Sequence, residues 1–160
     1  MAAYSHGAVG YTPVAHADSA SALANASYQA LRAGSATALV RILEVFIGGE
    51  ATSSTVNRMA LRRLSTNGST PTDVAPAPLN VYSVAAVAQG YVAATTGPTI
   101  AATQHLLNLA FNAFGGIVRW VAAPGEEIYI ATATAPNAEV CLDSISGTGV
   151  VSQDIKFESL

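Results

Sequence analysis

Alternation of apolar and polar residues with a period of two marks half-buried strands, and it is clearest in the last third of the chain. The segments IVRWVAA (117–123), EEIYIATAT (126–134), AEVCLDSIS (138–146) and VVSQDIKFES (150–159) each read as a strand. Pro124-Gly125, Pro136-Asn137 and Gly147-Thr148-Gly149 separate them as turns. The strongest strand signal lies earlier, in ATALVRILEVFI (36–47). There Leu39, Arg41, Leu43, Val45 and Ile47 share one face, and Val40, Ile42, Glu44 and Phe46 the other. Both faces are mostly apolar, which predicts cover on both sides, by core and by an interface. After a Ser/Thr-rich loop, VNRMALRRL (56–64) reads as the partner of that strand in a hairpin, with Arg58, Ala60, Arg62 and Leu64 on one face.

Weaker signals fill the remainder. Residues 26–33 predict a first strand. Residues 65–78 predict a loop, because Pro71, Pro76 and Pro78 oppose regular pairing. One or two short strands are expected around LNVYSVAAV and YVAAT within 79–95. The segment QHLLNLAFNAF (104–114) fits a helical stripe through Leu107, Phe111 and Phe114, and fits a strand as well. Residues 1–24 show no sustained period and predict an extended N-terminal arm, ordered against a neighbour. Residues 25–160 then form a single domain. About eight strands at roughly ten-residue spacing predict an all-β fold, a jelly-roll-like antiparallel sandwich.

Composition narrows the class. Hydrophobic residues make up 51% of the 160 and charged residues only 11%. The longest apolar-looking stretches are interrupted by Arg41, Glu44, Asn108, Asn112 and Arg119, which argues against a membrane span. A surface so poor in charge lacks the self-repulsion that keeps monomers apart, and predicts association with copies of itself, a homotrimer being the expectation. A formal net charge of −3 gives no support to nucleic-acid binding. The one cysteine, Cys141, excludes an intramolecular disulfide, and the first twenty residues lack a secretory pattern.

Candidate chemistry is sparse. His6, His16 and His105 have no partner at metal-ligand spacing, so no metal or other cofactor is expected. No G-x-S-x-G elbow or phosphate loop occurs, and Glu126 and Glu127, adjacent on a strand, point to opposite faces. The expectation is no enzyme and no catalytic residue. Tyr4, Tyr11, Arg41, Glu44, Arg58, Arg62 and Arg63 are the candidate interface residues. Arg41 and Arg62, on otherwise apolar faces, must find an acceptor or reach solvent, and the expectation is pairing with carboxylates within or between subunits.

The stretch RILEVFIGGEATSSTVNRMALRRLSTNGST joins an arginine-led apolar strand, a Ser/Thr-rich loop and the strand end Ala60-Leu61-Arg62-Arg63-Leu64-Ser65-Thr66-Asn67-Gly68. With RWVAAPGEEIYI and AEVCLDSI, this pattern resembles small virion proteins of tailed bacteriophages over about 36–146, with a poor fit in 75–104. The resemblance implies a head decoration (cement) protein, made in the bacterial host cytoplasm and carried on the virion, whose partner is the major capsid protein. A tail or receptor-binding component, or a small jelly-roll capsid protein, are the alternatives. The absence of Lys or Arg before Arg32 argues against the last of these.

Overall fold

A computed structural model describes residues 2–18, 20–132 and 136–160, and among these described residues there are twelve strands and no helix. They are β1 (Ala2–Tyr11), β2 (Tyr28–Arg32), β3 (Leu39–Glu50), β4 (Val56–Thr66), β5 (Ser69–Val74), β6 (Ala77–Pro78), β7 (Gln89–Thr96), β8 (Thr99–Asn112), β9 (Phe114–Val121), β10 (Ile128–Ala131), β11 (Glu139–Ser146) and β12 (Val151–Ser159). The end of the strand expected over 126–134 falls outside the described residues.

Two antiparallel sheets pack as a sandwich. The first runs β10-β3-β12-β1-β6, with β9 pairing the other half of β3. The second runs β5-β7-β2-β11-β4-β8. The first and last strands lie side by side, and β1, β3 and β12 alternate between sheets with β2, β4 and β11. This interleaving is compatible with a jelly roll. Each sheet supplies one apolar face to the core. Val40, Ile42, Val45, Ile47, Ile155 and Phe157 come from the first sheet; Leu31, Met59, Leu61, Val140 and Leu142 come from the second.

β3 changes its inward face midway. Lys156 of β12 pairs with Glu44, but the next residue, Phe157, pairs with Ile42, so Leu43 is an extra, unmatched residue. Such a bulge shifts the side-chain phase by one. Val40 and Ile42 point inward before it, and Val45 and Ile47 after it. The apparent two-sided apolarity of 36–47 is therefore corrected: two inward faces of opposite phase are written in one strand. The outer side carries Arg41, paired with Glu158 and 3.6 Å from Glu127, and Glu44, which binds Arg119 at 2.8 Å and Lys156 at 3.2 Å.

Other expectations are also corrected. β3 and β4 do not form a hairpin, because they lie in opposite sheets and the 51–55 connection crosses the sandwich. Residues 69–74 pair with β7 despite Pro71. β5 is an edge strand, where a missing N–H costs little. The ambiguous 104–114 segment is strand through Asn112. Of the 79–95 segment, YVAAT lies in β7 while LNVYSVAAV is irregular.

The N-terminal arm is corrected as well. Residues 2–11 are a strand between β12 and β6, with Tyr4, His6 and Ala8 buried. The following residues turn back over the second sheet of the same chain.

Candidate functional site

The second sheet is covered on both faces. Opposite the main core, Tyr28, Ala30, Leu64, Tyr91, Ile100 and Cys141 form a second buried cluster with Leu23. Leu23 belongs to a strap over that face, of which residues 12–18 and 20–27 are described. His16 N donates to Ser144 O at 2.8 Å, Leu23 N to Pro98 O at 2.9 Å, and Ile100 N to Ser21 O at 3.2 Å. Single-residue bridges join Ala15 to Ser144 and Ala22 to Thr99.

Beneath the strap lie charges. Period-two alternation along β11 points Glu139, Cys141 and Asp143 to this face, while Val140 and Leu142 enter the main core. Cys141 pairs in register with Arg62 of β4 and Ala30 of β2. Arg62 forms a bidentate pair with Asp143, both fully buried, and its Nη1 lies 3.7 Å from Asp18 on the strap. Asp18 also accepts from Thr103 N at 3.0 Å and lies 2.9 Å from His105 Nε2. Those hydrogen bonds, from Thr103 first and then His105, hold the Asp18 carboxyl below its ordinary pKa. A second pair joins Arg32 to Glu139 at 2.8 Å, and Tyr91 donates its hydroxyl to the same carboxylate. Burial raises the pKa of Glu139 and of Asp143, opposed by Tyr91 and Arg32 at the first and by Arg62 at the second. Burial also pushes the Cys141 thiol well up, so it is a poor nucleophile in the closed fold.

The candidate interface residues separate into two groups. Tyr4 is a core residue stacked on Phe157, and Arg62 is buried under the strap, so neither presents its side chain to another molecule. Tyr11 is half-buried with its ring packed on the core. Arg41 and Glu44 sit half-buried on the outer side of the first sheet, in intramolecular ion pairs. Arg63 is half-buried and donates to Tyr129 O at 2.9 Å, and Arg58 is exposed. Arg62 thus has its expected carboxylate, Asp143, within the chain.

A surface the sequence pattern did not single out stands next to β1. In Leu79–Val87, Val81 and Tyr82 are 84% and 93% exposed, and Leu79, Val84 and Val87 are each more than half exposed. The loop is nevertheless held. Leu79 N donates to Ala3 O at 2.9 Å, Tyr82 N to Asn80 Oδ1 at 3.0 Å, and the buried Tyr4 donates its hydroxyl to Val84 O at 2.9 Å. Asn80 thereby closes a side-chain turn, and Tyr4 ties the apolar tip to the core. The run L-x-V-Y-x-V signals this patch once 79–87 is known to be irregular, since an apolar run outside a strand has no sheet to bury it.

Among the described residues no group of His, Cys, Asp and Glu is arranged to hold a metal ion. No helix among them is long and apolar enough to cross a membrane. Comparisons with protein-family models, with curated proteins and with solved structures gave no match.

Proposed function

We propose that this chain is a structural assembly protein that docks through the Leu79–Val87 loop. The observation that carries the reading is five large apolar side chains displayed together on a loop anchored by Tyr4. Large apolar side chains clustered on a protein surface mark interaction sites, whereas singly scattered ones need no explanation. Anchoring matters because a loop already ordered loses less entropy on docking. The low charge of the chain removes a further barrier to close packing.

At the finer level, the resemblance to phage virion proteins makes the partner the major capsid protein. The role is then decoration of the head exterior, with a homotrimer as the docking unit. Repeated modest contacts across a shell add stability through multivalency. The test mixes purified protein with heads assembled without it. Decoration predicts saturable binding at a fixed number of copies per shell and genome release at a higher temperature. Binding confined to tails or host cells would favour the receptor-binding alternative and overturn the head assignment.

A further inference from the structure

We propose that copies of this chain join edge to edge along the flank formed by β8 and β9, the second sheet of one copy continuing into a sheet of the next. The inference rests on the self-association proposed above and names its surface. Three observations carry it. The first is which edges of the sandwich are protected. β5 carries Pro71 and Asp73, β6 is two residues ending in Pro78, and β10 has four residues. Proline, charge and shortness are devices that stop a sheet edge from pairing with another chain. β8 ends the second sheet, and β9, separated from it only by Ala113, pairs β3 at the edge of the first. The strap occupies the first half of the β8 edge, where Ile100 N donates to Ser21 O at 3.2 Å and Thr103 N to Asp18 at 3.0 Å. Over Leu106–Ala110 no strand or strap residue among those described pairs with that side. The thirteen residues Leu106–Val118 contain no proline and no charge.

The second observation is the direction of the backbone groups. Ala113 N donates to Thr55 O at 2.7 Å, one step beyond the Val56–Asn112 pair, and the register runs unbroken from there to Leu61–Leu107. In an antiparallel ladder, pairs that exchange hydrogen bonds alternate with pairs that do not. Phe111, Leu109 and Leu107 therefore bond to β4, and the N–H and C=O groups of Asn108 and Ala110 face the open flank. Both residues are exposed. An added strand satisfies such groups with its own main chain.

The third is the seam between the two sheets. Leu107, Leu109 and Phe111 from β8, with Val118 and Trp120 from β9, pack against the main core yet stay only partly buried. Ile117 and Val121, 67% and 53% exposed, extend the apolar surface along β9. Strand pairing across this flank covers the free backbone and the seam together. A second copy is the occupant that the charges favour. The edge is neutral, so two identical flanks meet without repulsion, and the one charge on β9, Arg119, is already held by Glu44 at 2.8 Å. The flank also lies at the opposite side of the first sheet from β6 and the Leu79–Val87 loop that follows it, so self-association leaves that loop free.

Trp120, the single tryptophan, reports closure of the seam. Light scattering and tryptophan emission are measured together on the full-length protein through a dilution series at micromolar concentrations. The wild type should have a mass that is a multiple of 16.2 kDa, and its emission should shift to the red as dilution lowers that mass. Ala110→Pro removes an N–H that faces the flank and none that bonds to β4. Asn108→Lys sets a charge beside the edge at an exposed position, and keeps the test decisive if the proline variant fails to fold. Each should weaken association at least about tenfold, while Asn108→Ser should leave it unchanged. Circular dichroism checks that each variant is folded. An assembled wild type whose mass no folded variant changes would overturn the flank and leave self-association standing on another surface. A wild type of 16.2 kDa at every concentration would overturn the flank and the homotrimer together, without bearing on docking by the loop.

Discussion

His6 of β1 packs directly on Gly90 of β7, so closely that a Cβ at position 90 would lie 2.5 Å from the His6 ring. This contact joins the two sheets at the strand expected to be a free arm. It also sets a pH dependence, because burial pushes the His6 pKa down to about 4. A folded pKa below the unfolded value of about 6.5 means that the unfolded chain binds the extra proton. The stability of the fold is therefore complete above pH 6.5 and declines as pH falls from 6.5 towards 4. The loss is on the order of 3 kcal/mol across that window. Denaturant melts at several pH values should show this slope, and His6→Gln should flatten it.

Gly90→Ala should be among the most damaging single-methyl changes in the protein. The added carbon meets a buried ring held on a paired strand, and relief requires the sheets to part. Overpacking of this kind costs about 1–3 kcal/mol or more. Thermal unfolding of the variant checks it. A melting temperature equal to that of the wild type would mean that the sheets have slack at this point.

The Arg62–Asp143 pair should be asymmetric under substitution. Asp143→Ala leaves a buried guanidinium without its main partner and should cost about 3–5 kcal/mol. Replacing both, as Arg62→Met/Asp143→Leu, should restore most of that loss, because apolar residues of similar size suit the same site. A double-mutant cycle by urea denaturation measures the coupling. If the double variant is as unstable as Asp143→Ala, the pair has a role beyond mutual neutralisation.

How far the sequence could be read depends on phase and on edges. The closing strands β9 to β12 stand close to where their alternation and the Pro/Gly turns put them, although β11 carries an irregularity between Ser144 and Ser146. β3 misleads because the bulge at Leu43 shifts its phase by one, which no composition rule reveals. β1 was missed because its inward residues, Tyr4, His6 and Ala8, form no apolar run. Their burial is imposed by β12 on one side and β7 beneath. Of the covered ion pairs only the need of Arg62 for a carboxylate was legible; its partner was not, although Glu139-x-Cys141-x-Asp143 places two carboxylates on one strand face. The apolar loop was hidden because LNVYSVAAV has strand-forming residues, and only the anchors from Ala3 and Tyr4 explain why it remains irregular.

Tyr4→Phe separates anchoring from packing. The ring can keep its stack on Phe157, while the hydrogen bond to Val84 O is lost. A loss of about 1 kcal/mol of stability is expected. Amide exchange in 79–87 should rise while exchange in β12 stays slow. Unchanged exchange in the loop would show that Tyr4 does not hold it.

The proposed docking of Leu79–Val87 on a phage head is tested most directly by co-sedimentation of wild-type protein and a Val81→Ser/Tyr82→Ser/Val84→Ser variant with heads assembled without the protein. These three side chains are exposed in the single chain, so the variant should fold with an unchanged melting temperature. Interface anchors lose about 1–2 kcal/mol or more each when truncated, so the variant should bind at least about a hundredfold more weakly. The wild type should saturate at a fixed stoichiometry. Equal binding by the two proteins, or no binding by the wild type, would contradict the account.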